Sequence, residues 1–145
     1  MKRLSKPNAK QLATLRAHAH PRCVVCGAAN PLGLGLECVV MPDASVAAEF
    51  AGGEALEGYA DQLHGGMIAA LLDGAMTHCL FAHGCRALTA ELTVRFRHPV
   101  AVKERLTVRA WLADSHAPLH LLRAELWQNG QVKATALGKF FESHD

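Results

Sequence analysis

What the chain lacks narrows the field first. It has no surplus of either charge: 15 Lys and Arg against 13 Asp and Glu leave a net charge of +2 with histidine neutral. That field is too weak to make nucleic acid or an anionic membrane the main partner. No apolar h-region follows the basic start Met1-Lys2-Arg3-Leu4-Ser5-Lys6-Pro7, so no signal peptide is expected. The central apolar run is too short for a membrane span and carries an acid, so a soluble protein is expected. Five cysteines (Cys23, Cys26, Cys38, Cys79, Cys85) are an odd number without the spacing of a small disulfide scaffold, which points to a reduced, cytoplasmic setting. There are no internal repeats, low-complexity tracts or linkers. With 145 residues, 50% of them apolar and 19% charged, the chain can build one domain with a real core.

The pattern along the chain predicts few helices and many strands. Asn8 is a plausible N-cap for a short peripheral helix to about His18, ended by Pro21. A Gly-, Asn- and Pro-containing loop follows, so residues 1–30 read as a helix and loop ahead of a main region over 31–145. Leu34, Leu36, Cys38 and Val40 alternate with their neighbours, Pro42-Asp43 supplies a turn, and Val46, Ala48 and Phe50 alternate again. These are two antiparallel strands in hairpin order. After the central apolar stretch, Leu88, Ala90, Leu92, Val94 and Phe96 are expected to point one way along a strand, with Thr89, Glu91, Thr93 and Arg95 pointing the other. Further strands are expected over Leu106–Leu112, Leu119–Trp127 and Val132–Phe140, the last two joined by the type I′ signal Asn129-Gly130. The fold class is α+β: an antiparallel sheet wrapped around one long central helix, with a short N-terminal helix.

That central helix runs from His64-Gly65-Gly66 to Gly84 and is apolar all round between Met67 and Phe81, apart from Asp73, Thr77 and His78. Such a helix is buried, and its far side calls for a cover, most economically a second copy of the chain. A carboxylate in these surroundings costs several kcal/mol unless compensated. The two leading glycines leave backbone N–H groups bare at the positive end of the helix dipole. Eight residues of helix hold Asp73 and Gly65 roughly 12 Å apart, too far to act on one carbonyl. Two copies with antiparallel helices would bring Asp73 of one opposite Gly65 of the other, twice per dimer.

His64-Gly65-Gly66 with an acid nine positions after the histidine resembles the hotdog-fold acyl-CoA thioesterases of the phenylacetic-acid-degradation (PaaI-like) type, in the 4-hydroxybenzoyl-CoA thioesterase superfamily. Cys26-Gly27-x-x-Asn30-Pro31-x-Gly33-Leu34, Gly58-Tyr59 and Arg97-x-Pro99 carry the same likeness, which covers about residues 23–142. The resemblance implies a hotdog domain over 31–145 that hydrolyses an acyl-CoA thioester without metal or cofactor. The Gly65 N–H would polarise the carbonyl, and Asp73 would act as general base or nucleophile. His64 would shape the turn, and Gly66 would lie against substrate. Thr89 would hold water or the acid. By position rather than by resemblance, Arg95, Arg97 and His98 lie where a sheet end could receive coenzyme A phosphates, with a plain solvated strand face as the simpler reading of each. A homodimer, paired further into a dimer of dimers, is the implied assembly, with neither nucleic acid nor membrane as partner. Relatives commonly carry Asn or Gln where this chain has Gly58; Gln62 or Asp61 are the nearby substitutes. A hotdog dehydratase is disfavoured because its His-Phe-Pro-type loop is absent.

Several features have plainer readings. Asp73 could be structural, hydrogen-bonded to Thr77 one turn on. Cys23-x-x-Cys26 with His18 and His20 could be read as zinc ligands, but four within nine residues is cramped, and a thiol pair in an apolar loop is favoured. His78 and His83 read as core-edge or surface histidines, and Ala69, Ala70 and Gly74 as pocket-shaping. The alternative to an enzyme is a non-catalytic acyl-CoA-binding module of the same fold.

Overall fold

The computed structural model describes residues 4–144; the basic start Met1–Arg3 lies outside them. The described elements run α1 (Ala9–Ala19), β1 (Val39–Val40), β2 (Val46–Phe50), a short 3-10 turn (Glu54–Leu56), α2 (Gly65–Ala82), β3 (Ala87–Phe96), β4 (Leu106–His116), β5 (Leu119–Gln128) and β6 (Gln131–Glu142). The strands form one antiparallel sheet in the order β1-β2-β4-β5-β6-β3. It wraps α2, whose Leu71, Leu72, Met76, Leu80 and Phe81 are fully buried. Each such side chain contributes about 1.5–3 kcal/mol on leaving water.

Local signals account for the element ends. The Asn8 side chain accepts from Gln11 N–H and caps α1. Asn129 and Gly130 both take positive φ (52° and 73°), as a type I′ turn between β5 and β6 demands. Gly84, at φ 75°, follows α2 where only glycine sits without strain.

Three expectations are corrected. The strand expected from Leu34 to Met41 shrinks to Val39–Val40, because the Leu34 and Leu36 N–H groups donate instead to the carbonyls of Val24 and Val25 in the cysteine loop. The far side of α2 is not left wholly for a second copy. Every residue from Gly74 to Ala82 is buried within the single chain. Gly74 meets Val25 and Leu36 so closely that an added Cβ would lie 2.7 Å from Val25 Cγ1. Only the N-terminal half of α2 stays partly open, so Ala69 and Ala70 can face a ligand while Gly74 cannot. His78 is not at the core edge either: it is fully buried, with neither ring nitrogen hydrogen-bonded. Burial lowers its pKa to about 4, which keeps the ring neutral.

The period-2 pattern of β3 is broken by a bulge between Thr89 and Glu91. Thr89 pairs with Phe140, Leu92 with Gly138, Val94 with Ala136 and Phe96 with Ala134, and paired residues share a face. Thr89 therefore joins Leu92, Val94 and Phe96 on the helix side, while Leu88, opposite Phe141, faces outward and is 65% exposed. The extra residue switches faces part-way along the strand. One edge of β3 pairs with β6, and the other is unpaired among the described residues.

Candidate active site

Helix α2 begins in a tight loop. The Gly58 N–H donates to the Gln62 carbonyl and the His64 N–H to that of Leu56. His64 is the N-cap, and its Nδ1 accepts from the Gly66 N–H at 2.8 Å. Only one of the two expected bare amides is therefore open. The Gly66 N–H is committed to the cap, whereas the Gly65 N–H has no partner among the described residues. The glycines differ sterically too: a Cβ on Gly66 would press on the His64 ring at 3.0 Å, whereas one on Gly65 meets only Phe96 at an ordinary 3.5 Å. Gly66 serves the cap. Nothing within the chain requires glycine at 65, which leaves room for a group approaching the helix terminus.

A cavity of about 600 Å³ opens at this terminus. It gathers His64, Gly65, Arg97 and His98 from the expected site residues, and adds Tyr59, Gln62 and Phe96 among its walls. Of the substitutes for Asn or Gln at Gly58, Gln62 lines the cavity while Asp61 lies 3.8 Å from the Lys103 ammonium. A Cβ on Gly58 would sit 3.3 Å from the His64 Cα, so a larger residue there would crowd the cap. Gln62 was one of the two substitutes named from sequence, but the lining role of Phe96 was not legible there, since β3 and the loop before α2 converge only in the fold.

Asp73 and Thr89 lie apart from this cavity, beside the open edge of β3. The Thr89 hydroxyl donates to Asp73 Oδ1 at 2.7 Å. The Thr77 hydroxyl donates to the Asp73 backbone carbonyl rather than to its carboxylate, so the plainer reading of Asp73 as Thr77's partner does not hold. Asp73 is half-buried. Desolvation pushes its carboxyl above the usual range, opposed by the Thr89 hydrogen bond and by nearby His20. A carboxylate with a raised pKa and a single neutral donor remains basic enough to accept a proton.

Half of the chain matches a family description: residues 60–135 fit the model of the thioesterase superfamily. The chain belongs to the thioesterase superfamily. Thioester hydrolysis is thus its reaction class, and the segment that matches holds α2, Asp73, Thr89, Arg97 and His98. The fold agrees. The E. coli PaaI protein from the phenylacetic acid degradation operon superposes with a TM-score of 0.76 at 20% identity, over 94% of this chain and 96% of that one. A phenylacetic acid degradation-related protein from Ralstonia eutropha JMP134 gives 0.68 at 25% identity, over 74% and 85%. A hypothetical thioesterase protein from Streptococcus pneumoniae, solved with coenzyme A, gives 0.69 at 16% identity, over 74% and 88%. The architecture is accordingly the hotdog fold of PaaI-like thioesterases. No curated protein matches the chain in sequence.

Proposed function

We propose that the chain is an acyl-CoA thioesterase acting on a small or medium acyl group, aromatic ones included, with composite sites in a homodimer. The observation that carries this reading is the division of the site. A desolvated carboxylate held by Thr89 and an unengaged helix-terminal N–H at Gly65 lie on one helix, about 12 Å apart. Both border the same edge strand, β3, since Thr89 meets Asp73 and Phe96 lies against Gly65. A twofold axis through the middle of β3 would set Thr89 of one copy beside Phe96 of the other, and Asp73 opposite Gly65. The coenzyme A in the S. pneumoniae neighbour supports the choice of thioester. The cavity beside Gly65 has apolar walls for an acyl chain, and Arg97 and His98 stand at it for the coenzyme A phosphates.

In this mechanism the thioester carbonyl accepts from the Gly65 N–H at the positive end of α2, which stabilises the oxyanion as it forms. Asp73 either removes a proton from the attacking water or adds to the carbonyl carbon itself. In the first case the C–O bond forms as the proton passes to the carboxylate. The C–S bond then breaks, and the coenzyme A sulfur takes that proton. In the second, the carboxylate oxygen bonds to the carbonyl carbon, the C–S bond breaks and coenzyme A leaves as a thiolate that takes a proton from water. A second water then hydrolyses the acyl-aspartyl anhydride to the free acid and the Asp73 carboxylate. Single-turnover hydrolysis in oxygen-18 water separates the two, since label enters Asp73 only in the second. No resident metal or cofactor is assigned to either route. Five free cysteines support a cytoplasmic setting.

The test is thiol release from a panel of aromatic, short-chain and medium-chain acyl-CoAs. Wild-type protein should release coenzyme A from at least one class. Asp73→Asn should lose about 10²–10⁴-fold in rate, the usual contribution of a positioned base, with melting temperature and ligand binding retained. Binding without release from any member would leave the acyl-CoA-binding module as the reading.

A further inference from the structure

We infer that His20, Cys23 and Cys26 form a zinc site, built from residues other than the reacting groups and bordering Asp73 through His20, that fastens the N-terminal loop to the helix bearing Asp73. One ligand atom from each of the three lies within 4.8 Å of the other two. His20 Nδ1 stands 3.6 Å from Cys26 Sγ. Bond lengths of about 2.3 Å for Zn–S and 2.0–2.1 Å for Zn–N, at a tetrahedral angle, put such a pair of ligand atoms about 3.5 Å apart. The distance is set before any ion arrives. Three protein ligands need only solvent in the fourth position, so the crowding of four ligands within nine residues does not arise; His18 is not part of the cluster.

The backbone is shaped to bring the two thiols together. The Gly27 N–H donates to the Cys23 carbonyl at 2.8 Å, and the chain doubles back so tightly that a Cβ on Gly27 would lie 2.3 Å from the Cys23 nitrogen. The Val25 N–H points at Cys23 Sγ at 3.4 Å, a donor that favours a thiolate. The Arg16 guanidinium binds the Cys26 carbonyl through Nε and Nη2 at 3.1 and 2.9 Å, fixing the far end of the loop to α1. His20 is the C-cap of that helix. Zinc binding displaces both thiol protons to solvent, and one Zn²⁺ with two thiolates and a neutral imidazole carries no net charge, which suits a half-buried loop.

A second cluster, Cys85, His120 and Glu142, does not compete. His120 is already held at both nitrogens, by Ser115 at 2.8 Å and Glu142 at 2.9 Å. The first cluster also has a mechanical consequence. Val25, between the two ligand cysteines, is the residue packed against Gly74, next to Asp73. Closing the loop around zinc secures that contact.

The test uses full-length protein, stripped with chelator and titrated with Zn²⁺ and, separately, Co²⁺. One equivalent should bind per chain. The Co²⁺ form should show thiolate charge-transfer absorption with the d–d bands of tetrahedral coordination. Zinc should raise the melting temperature and protect Cys23, the more accessible of the two thiols, from alkylation, read by peptide mass spectrometry. Cys23→Ser, Cys26→Ser and His20→Gln should each lose stoichiometric binding, while Cys38→Ser keeps it. If Cys26→Ser fails to fold, the alkylation footprint on wild-type protein still decides. No tight equivalent, cobalt spectra without thiolate bands, or binding that survives the Cys23→Ser and His20→Gln substitutions would overturn the assignment.

Discussion

Asp73 owes its character to its burial and to two neighbours drawn from different parts of the chain. Burial between α2 and β3 raises its carboxyl, while the Thr89 hydroxyl and the His20 ring oppose the rise. Activity that needs the carboxylate ionised will climb as pH passes upward through this raised value. Removing the Thr89 hydroxyl removes a hydrogen bond that favours the charged carboxylate. Thr89→Ala should therefore move the acidic limb of the kcat/KM profile to higher pH and depress the rate most at the acid end, with little change above neutrality. A limb that stays in place would mean the hydroxyl does not act on Asp73. The carboxylate and its histidine-glycine partner were legible from spacing and resemblance, because nine positions along a helix are a local matter. His20 was not, because no local rule relates residues 20 and 73.

At the scale of elements, α2 and the cysteine loop meet through Gly74 and Val25. A Cβ at position 74 would stand 2.7 Å from Val25 Cγ1 and 3.4 Å from Leu36 Cδ2. Gly74→Ala gains about 1 kcal/mol of helix propensity. Overpacking costs typically about 1–3 kcal/mol, so the net change should be destabilising. Val25→Ala alone also destabilises by opening space, but in the Gly74→Ala background it removes the clash. Denaturant unfolding of the four proteins should then give a favourable coupling of about 0.5–3 kcal/mol. Additive single effects would show that the two residues do not share one contact. Strand β3 teaches a related lesson. Its alternation predicts a strand but assigns Thr89 to the wrong face. The bulge before Glu91 shifts the register by one, and a single inserted residue leaves the composition of the strand unchanged. Likewise β1 loses most of its expected length because its backbone donors find the loop at Val24 and Val25 first.

For the whole molecule, the composite-site proposal makes a quantitative forecast. Asp73→Asn chains keep Gly65, and Gly65→Val chains keep Asp73; each homodimer should be inactive. After mixing and subunit exchange, half of the dimers are mixed, each with one intact site of two, so about a quarter of wild-type activity should return. Thiol release after exchange, alongside mass by light scattering, measures this. No recovery despite demonstrated exchange would place both groups of a site within one chain, or the chemistry elsewhere.

Length, charge, apolar periodicity and turn residues determined by themselves a single α+β domain with a buried helix, its caps, the Asn129-Gly130 hairpin and the positions of the acid and the helix-terminal glycine. All of these depend on neighbours a few residues apart. Only the tertiary structure decided which amide at the helix terminus is open and which face Thr89 takes. Only it decided that α1 and the cysteine loop cover the C-terminal half of α2, and that His20 joins Cys23 and Cys26. The face of Thr89 and the cover over α2 depend on groups distant in sequence competing for one partner or one space. The open amide and the His20 cluster, though local in sequence, depend on the backbone path and rotamers that packing selects.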